Sequence, residues 1–105
     1  MPTLRLYDTE KFPDLFAEKQ VRVFQLPNFK VCIALYNGEY YAFSHLCPHQ
    51  KHPLASANIT AFGEVVCPLH EYRFSLSVGN EANNKCQALT RYKLHLNAEG
   101  VYLSF

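Results

Sequence analysis

The feature that most limits the fold of this chain is an Asn-Gly pair between two runs rich in apolar and aromatic residues. The runs are Lys30 to Tyr36 and Glu39 to Ser44, and the pair between them is Asn37-Gly38. Both central residues of the favoured two-residue hairpin turn need a positive φ, which Asn and Gly adopt most readily. The sequence therefore predicts a β-hairpin over Lys30 to Ser44.

The rest of the chain has a period of mostly two residues, with turn residues at short intervals, which favours an all-β fold. The further predicted strands are Thr3 to Tyr7, Val21 to Leu26, Arg73 to Leu76, Arg91 to Leu96 and Val101 to Phe105. A second hairpin is predicted from Asn58 to Val66, turning at Gly63-Glu64. We expect a helical turn within Glu10 to Lys19, a polar loop at Glu81 to Lys85, and one apolar face formed by Tyr92, Leu94 and Leu96.

Composition places the chain among single globular domains. It has 105 residues, of which 49% are hydrophobic and 18% are charged, so it has material for one core. The sequence contains neither an internal repeat nor a linker, and we expect one domain over residues 1–105.

The charge balance and the apolar pattern narrow the expected partners and location. Ten Lys and Arg against nine Asp and Glu give a net charge of +1, which argues against nucleic acid as the main partner. Neither a bilayer-spanning apolar run nor a secretory signal is found, so we expect no membrane association and a cytoplasmic location.

Two short Cys/His groups stand out. Cys47 and His49 form a C-x-H pattern, Cys67 and His70 form C-x-x-H, and in both a proline follows the cysteine. Each group comes directly after a predicted strand, where loops held by a β scaffold often carry binding sites. Proline restricts φ and suits a rigid loop, while thiolate and imidazole are ligands of soft and borderline metals. The pattern predicts a metal site.

This pattern, with Leu54, the run Arg73 to Leu76 and Gly79 following it, resembles the Rieske iron–sulfur family. The resemblance covers most of Lys30 to Phe105. It implies a Rieske-like antiparallel β-sandwich, with a small cluster-binding subdomain at about residues 44–74 and a basal β domain formed by the rest. It also implies one 2Fe–2S cluster per chain.

The resemblance further implies how the cluster is bound and what it does. Cys47 and Cys67 would bind one iron, and His49 and His70 would bind the other. The chain is similar to soluble Rieske-type ferredoxins, which carry one electron from a reductase to a terminal oxygenase. We therefore expect an electron-transfer component of an oxidoreductase system rather than an enzyme by itself.

Mixed ligation sets an expectation for the reduction potential. Replacing two thiolates by neutral imidazoles removes two negative charges, each worth on the order of 3 kcal/mol at ~5 Å and an effective dielectric of ~20. The result is a rise of roughly 300 mV from the value of about −400 mV for all-thiolate clusters.

Departures from the high-potential respiratory members favour a low-potential cluster. His52 and Leu69 replace the two extra cysteines of those proteins, and Tyr72 and Phe74 replace their serine and tyrosine hydroxyl donors. Fewer hydrogen bonds to sulfur mean a lower potential. Glu71 stands where many members have glycine, and its charge would disfavour reduction further.

Two other functions remain open at this stage. A zinc-stabilised interaction module could use the same two thiolates and two imidazoles, and metal analysis would distinguish it. The small subunit of a nitrite-reductase-like complex shares the fold, although many such subunits lack the cluster ligands. Copurification with a large sirohaem protein would support that reading.

The remaining cysteines and histidines have simpler expected roles. His45 is expected to end a strand and pack, His52 to flank the cluster, and His95 to face solvent. Cys32 and Cys86 are expected to be small buried hydrophobes.

Overall fold

The computed structural model describes residues 3–48, 51–68 and 71–105. Within these ranges the chain forms nine β-strands and one short 3₁₀ helix at Phe12–Phe16. The strands are β1 (Thr3–Tyr7), β2 (Val21–Gln25), β3 (Lys30–Tyr36), β4 (Glu39–Ser44), β5 (Asn58–Ile59), β6 (Glu64–Val66), β7 (Arg73–Ser75), β8 (Arg91–Asn97) and β9 (Gly100–Ser104).

The strands form two antiparallel sheets. The larger has six strands in the order β1-β9-β8-β4-β3-β2, and the smaller has three in the order β5-β6-β7. Strand β4 pairs with β3 along its whole length but with β8 only at Ala42↔Tyr92 and Phe43↔Arg91. Only two residue pairs therefore connect the two halves of the large sheet, β1-β9-β8 and β4-β3-β2. Residues from both halves pack in one core.

Strand β3 lies between two cores, which explains its unbroken apolar run. Val31 and Ile33 belong to a core that also contains Phe12 and Val101. Cys32 and Ala34 point to the opposite face and join the core beneath the small sheet. A strand buried on both faces has no polar alternation. The predicted all-β fold is confirmed.

The Asn37-Gly38 hairpin forms as predicted, with φ of 51° and 78° at the two turn residues. The second hairpin forms too, but the predicted position of its turn was wrong. Strand β5 ends at Ile59 and β6 begins at Glu64. Thr60 explains the difference, because its Oγ1 accepts the backbone N–H groups of Phe62 and Glu64 at 3.2 Å. This turn is longer than the pair Gly63-Glu64 because Thr60 organises it.

The apolar face predicted on β8 is only partly correct. Tyr92 and Leu94 pack against the core that contains Phe12, whereas Leu96 is 44% exposed. Leu96 lies opposite the buried Val101, one residue before the end of β8, yet it is not among the residues that pack against this core. Among the described residues no helix is long and apolar enough to cross a bilayer.

Candidate metal centre

The small sheet and strand β4 bring two cysteines into one core. Cys67 directly follows β6, and Cys47 lies three residues after the end of β4. Their relative exposures are 0% for Cys47 and 1% for Cys67, and both belong to the core that contains Phe74 and Leu54. Both thiols are free of disulfides. Two buried thiols that follow different strands therefore lie in the same core.

The two loops that begin at these cysteines have the same backbone hydrogen bonds. The N–H of Cys47 donates to the carbonyl of His52, and the N–H of Cys67 donates to the carbonyl of Tyr72, both at 2.8 Å. Four residues after each cysteine, a backbone N–H returns to the cysteine carbonyl. Each loop is thus closed on itself by two hydrogen bonds, which fixes the cysteine in place.

The residues that make these returning bonds are Lys51, at 2.7 Å from the Cys47 oxygen, and Glu71, at 2.9 Å from the Cys67 oxygen. Their φ values are 56° and 58°. This left-handed region is costly for residues with a Cβ and favours glycine. The backbone at Glu71 thus suits glycine, the residue that the resemblance to the Rieske family implies at this place.

The first loop is held to the scaffold on its far side. Leu46 and Pro53 form an isolated β-bridge, and the N–H of Leu54 donates to the carbonyl of His45 at 2.8 Å. The Leu54 side chain is fully buried in the core that contains both cysteines. Leu54 therefore anchors the loop by a backbone bond and by apolar packing.

The predicted histidine ligands, His49 and His70, lie outside the described residues, as does Leu69. Of the other three histidines, His45 and His95 lie as predicted, and the flanking role of His52 stays a prediction. His45 directly follows β4 and is half-buried; burial, with a contribution from Lys30, lowers its pKa below the ordinary value. His52 is half-buried at the close of the first loop, and His95 is exposed.

The two remaining cysteines differ from each other. Cys32 is fully buried, and burial raises the pKa of its thiol to about 12, so it is the inert hydrophobe that was predicted. Cys86 is only half-buried, and that prediction was wrong in degree. It packs against the edge of the core that holds Cys47 and Cys67. Burial raises the pKa of the Cys86 thiol, and those two cysteines raise it further.

The donor set agrees with an iron–sulfur cluster. Two buried thiols in matching loops, neither of them in a disulfide, would provide the sulfur half of a mixed site. The sequence of each loop contains one predicted histidine ligand. Phe74 lies fully buried beside the site and has no hydroxyl to donate. Within residues 3–48, 51–68 and 71–105 no group of three potential metal ligands is found, and these ranges contain two of the four predicted ligands, Cys47 and Cys67.

Comparison with known proteins defines the class. The Rieske [2Fe-2S] domain family matches residues 7–93 of this chain. The chain therefore belongs to the Rieske [2Fe-2S] family, whose cofactor is a 2Fe–2S cluster, and the predictions of family and cofactor are confirmed.

Individual relatives share about a quarter to a third of their aligned residues with this chain. The chain is 26% identical over 84 residues to the ferredoxin component of the alkene monooxygenase system of Xanthobacter autotrophicus (strain ATCC BAA-1158 / Py2), a match that covers 80% of this chain and 69% of that one. It is 33% identical over 85 residues to human apoptosis-inducing factor 3, covering 80% of this chain but 14% of that protein.

Solved structures show the same fold. The ferredoxin of carbazole 1,9a-dioxygenase from Nocardioides aromaticivorans IC177 superposes with a TM-score of 0.80 at 21% identity, covering 99% of this chain and 98% of that one. The Sphingomonas yanoikuyae B1 ferredoxin gives a TM-score of 0.79 at 17% identity, with 99% of each chain covered. At these identities the match establishes the fold alone.

Proposed function

We propose that this protein carries single electrons on one 2Fe–2S cluster, bound by Cys47 and Cys67 at one iron and by His49 and His70 at the other. The observation that carries the proposal is the pair of matching loops, each of which closes on a buried cysteine carbonyl. These loops lie in a chain of the Rieske family. The histidine assignments rest on the C-x-H and C-x-x-H spacing.

The cluster, when bound, accepts and releases one electron. The chain's own residues determine how readily it does so. Burial of Cys47 and Cys67 keeps water from the sulfur side, and the absence of a hydroxyl at Phe74 removes one hydrogen bond that would favour reduction. These features support a low-potential carrier.

We propose a reductase and a terminal oxygenase as the redox partners. The support comes from relatives: one is the ferredoxin component of an alkene monooxygenase system. A solved structure with the same fold is the complex of reduced oxygenase and oxidized ferredoxin in carbazole 1,9a-dioxygenase. It has a TM-score of 0.78 at 16% identity, with 97% of this chain and 92% of that one covered.

The internal division at about residues 44–74 is also part of the proposal. Both cysteine loops and the small sheet up to Phe74 lie within this range, and the six-stranded sheet is formed by the residues outside it, together with Ser44. The cytoplasmic location stays a prediction.

Anaerobic purification followed by iron, sulfide and potentiometric analysis tests the function. We expect two irons and two sulfides per chain and a one-electron midpoint below zero. A colourless protein that contains zinc would contradict the cofactor, and a midpoint above zero would contradict the low-potential assignment.

A further inference from the structure

Glu81 is the one charged side chain buried among the described residues, at 2% exposure. It lies in the segment Glu81 to Lys85, which the sequence predicts to be a polar loop. A buried carboxylate is costly unless its oxygens accept hydrogen bonds. The proposed electron-carrier function assigns Glu81 no role, so its burial needs an explanation.

The carboxylate organises the segment that follows it. Its Oε1 accepts the backbone N–H groups of Asn83 at 2.9 Å and Lys85 at 2.8 Å. Burial alone raises the pKa of Glu81, but N–H donors from Lys85, Asn83 and Arg73 outweigh that effect and bring the pKa below its ordinary value. The ionised side chain therefore folds residues 81–85 around itself.

Backbone contacts fasten this segment to β7. Glu81 forms a β-bridge with Phe74, and the N–H of Ala82 donates to the carbonyl of Arg73 at 2.8 Å. Strand β7 follows the second cysteine loop in the chain. The Glu81 segment is thus attached to the strand that leads directly out of the proposed cluster site.

The far end of the segment reaches the site itself. The Nζ of Lys85 lies 5.5 Å from the centre of the Tyr72 ring, a cation–π distance, and the Tyr72 carbonyl closes the Cys67 loop. The next residue, Cys86, packs against the core that contains Cys47 and Cys67. Both contacts are made by residues at the end of the backbone segment that the Glu81 carboxylate holds.

We propose that Glu81 is a positioning residue for the metal centre, whose carboxylate holds residues 81–86 as a third wall beside the two cysteine loops. The inference rests on the proposed function, because the wall encloses the cluster assigned there. Glu81 lies outside both Cys/His groups in the sequence, so the motif itself does not point to this role.

The test compares anaerobically prepared holoprotein carrying Glu81→Ala, Glu81→Gln or the control Glu99→Ala, which changes an exposed turn residue at the β8–β9 end. We measure amide hydrogen exchange at Lys85 and the rate at which iron passes to a ferrous chelator. For Glu81→Ala we expect exchange at Lys85 to rise about tenfold, as the loss of a hydrogen bond to a charged group implies. Iron release should accelerate with it.

Glu81→Gln keeps an oxygen at Oε1, so it should restore most of the protection at Lys85 and slow the release of iron. Glu99→Ala should match the wild type in both measurements. Iron release from Glu81→Ala within twofold of the wild type would overturn the proposal, as would faster exchange spread evenly over β9 and the Glu81 segment. Absence of iron from the wild type would contradict the proposed function instead, and exchange at Lys85 would still test the anchor.

Discussion

Lys51 and Glu71 occupy the same position in two loops with the same backbone hydrogen bonds, and they carry opposite charges. Each donates its N–H to the carbonyl of the cysteine four residues earlier, and each has a φ within 2° of the other, at 56° and 58°. The backbone requirement is therefore equal at the two positions, and only the side chains differ. This equivalence allows matched substitutions on the two sides of the metal centre.

Replacing Glu71 by glycine should stabilise the protein. A residue with a Cβ pays about 1–2 kcal/mol in the left-handed region, and glycine avoids this but loses up to about 1 kcal/mol through the greater entropy of its unfolded chain. We expect a net gain of up to about 1 kcal/mol in the free energy of unfolding, measured by chemical denaturation of the holoprotein. Glu71→Ala removes the same charge but keeps the Cβ, so a similar gain there would contradict the backbone explanation.

Neutralising the two equivalent residues should move the reduction potential in opposite directions. Glu71→Gln removes a negative charge and should raise the midpoint, whereas Lys51→Met removes a positive charge and should lower it. Both side chains are exposed, and a unit charge at an assumed separation of ~8 Å in a water-like dielectric gives a shift on the order of 20 mV. Potentiometric titration at low salt measures both, and shifts of the same sign would be inconsistent with an electrostatic origin.

The strands and hairpins could be predicted because local rules decide them. Asn37-Gly38 meets the φ requirement of its turn without help from the rest of the fold. The turn at Thr60 was misplaced because a side-chain hydroxyl, which alternation does not reveal, caps two backbone N–H groups. Leu96 follows the alternation but stays 44% exposed although its cross-strand partner Val101 is buried, because tertiary packing rather than alternation decides which residues the core covers.

In the site too, some features could be predicted from local sequence and others depend on tertiary contacts. Spacing and the flanking residues identified the two cysteine loops, and the structure buries both cysteines in one core. The burial of Glu81 was missed because its hydrogen-bond partners are backbone amides, which have no sequence signature. The local sequence offers only Glu81 followed by Ala82, Asn83 and Asn84, and this composition is equally typical of a solvated loop.

Two glycines with positive φ should respond differently to alanine. At Gly79, a Cβ would lie 2.6 Å from the carbonyl oxygen of Leu89, whereas at Gly38 it would meet open space. Gly38→Ala should therefore cost about 1–2 kcal/mol from backbone strain alone, and Gly79→Ala should cost clearly more because the backbone must move. Denaturation of both variants compares them, and equal losses would contradict the close approach at Gly79.

Three of the four cysteines should separate into two classes on substitution. Cys32→Ala removes a buried thiol with a pKa of about 12 and should keep the full iron content, with a stability loss of about 1 kcal/mol for a small core residue. Cys47→Ser and Cys67→Ser should each lose the cluster. Iron and sulfide analysis after anaerobic purification distinguishes them, and a Cys67→Ser protein with normal iron content would exclude Cys67 as a ligand.

The proposed ligation is tested most directly by the nitrogen hyperfine coupling of the reduced cluster, measured by pulsed electron paramagnetic resonance. We predict two directly bound imidazole nitrogens in the wild type, with the coupling of one lost or altered in His49→Cys and that of the other in His70→Cys. His52→Cys should leave both couplings unchanged. A reduced cluster without strong nitrogen coupling, or a spectrum that neither substitution changes, would contradict the mixed cysteine and histidine ligation.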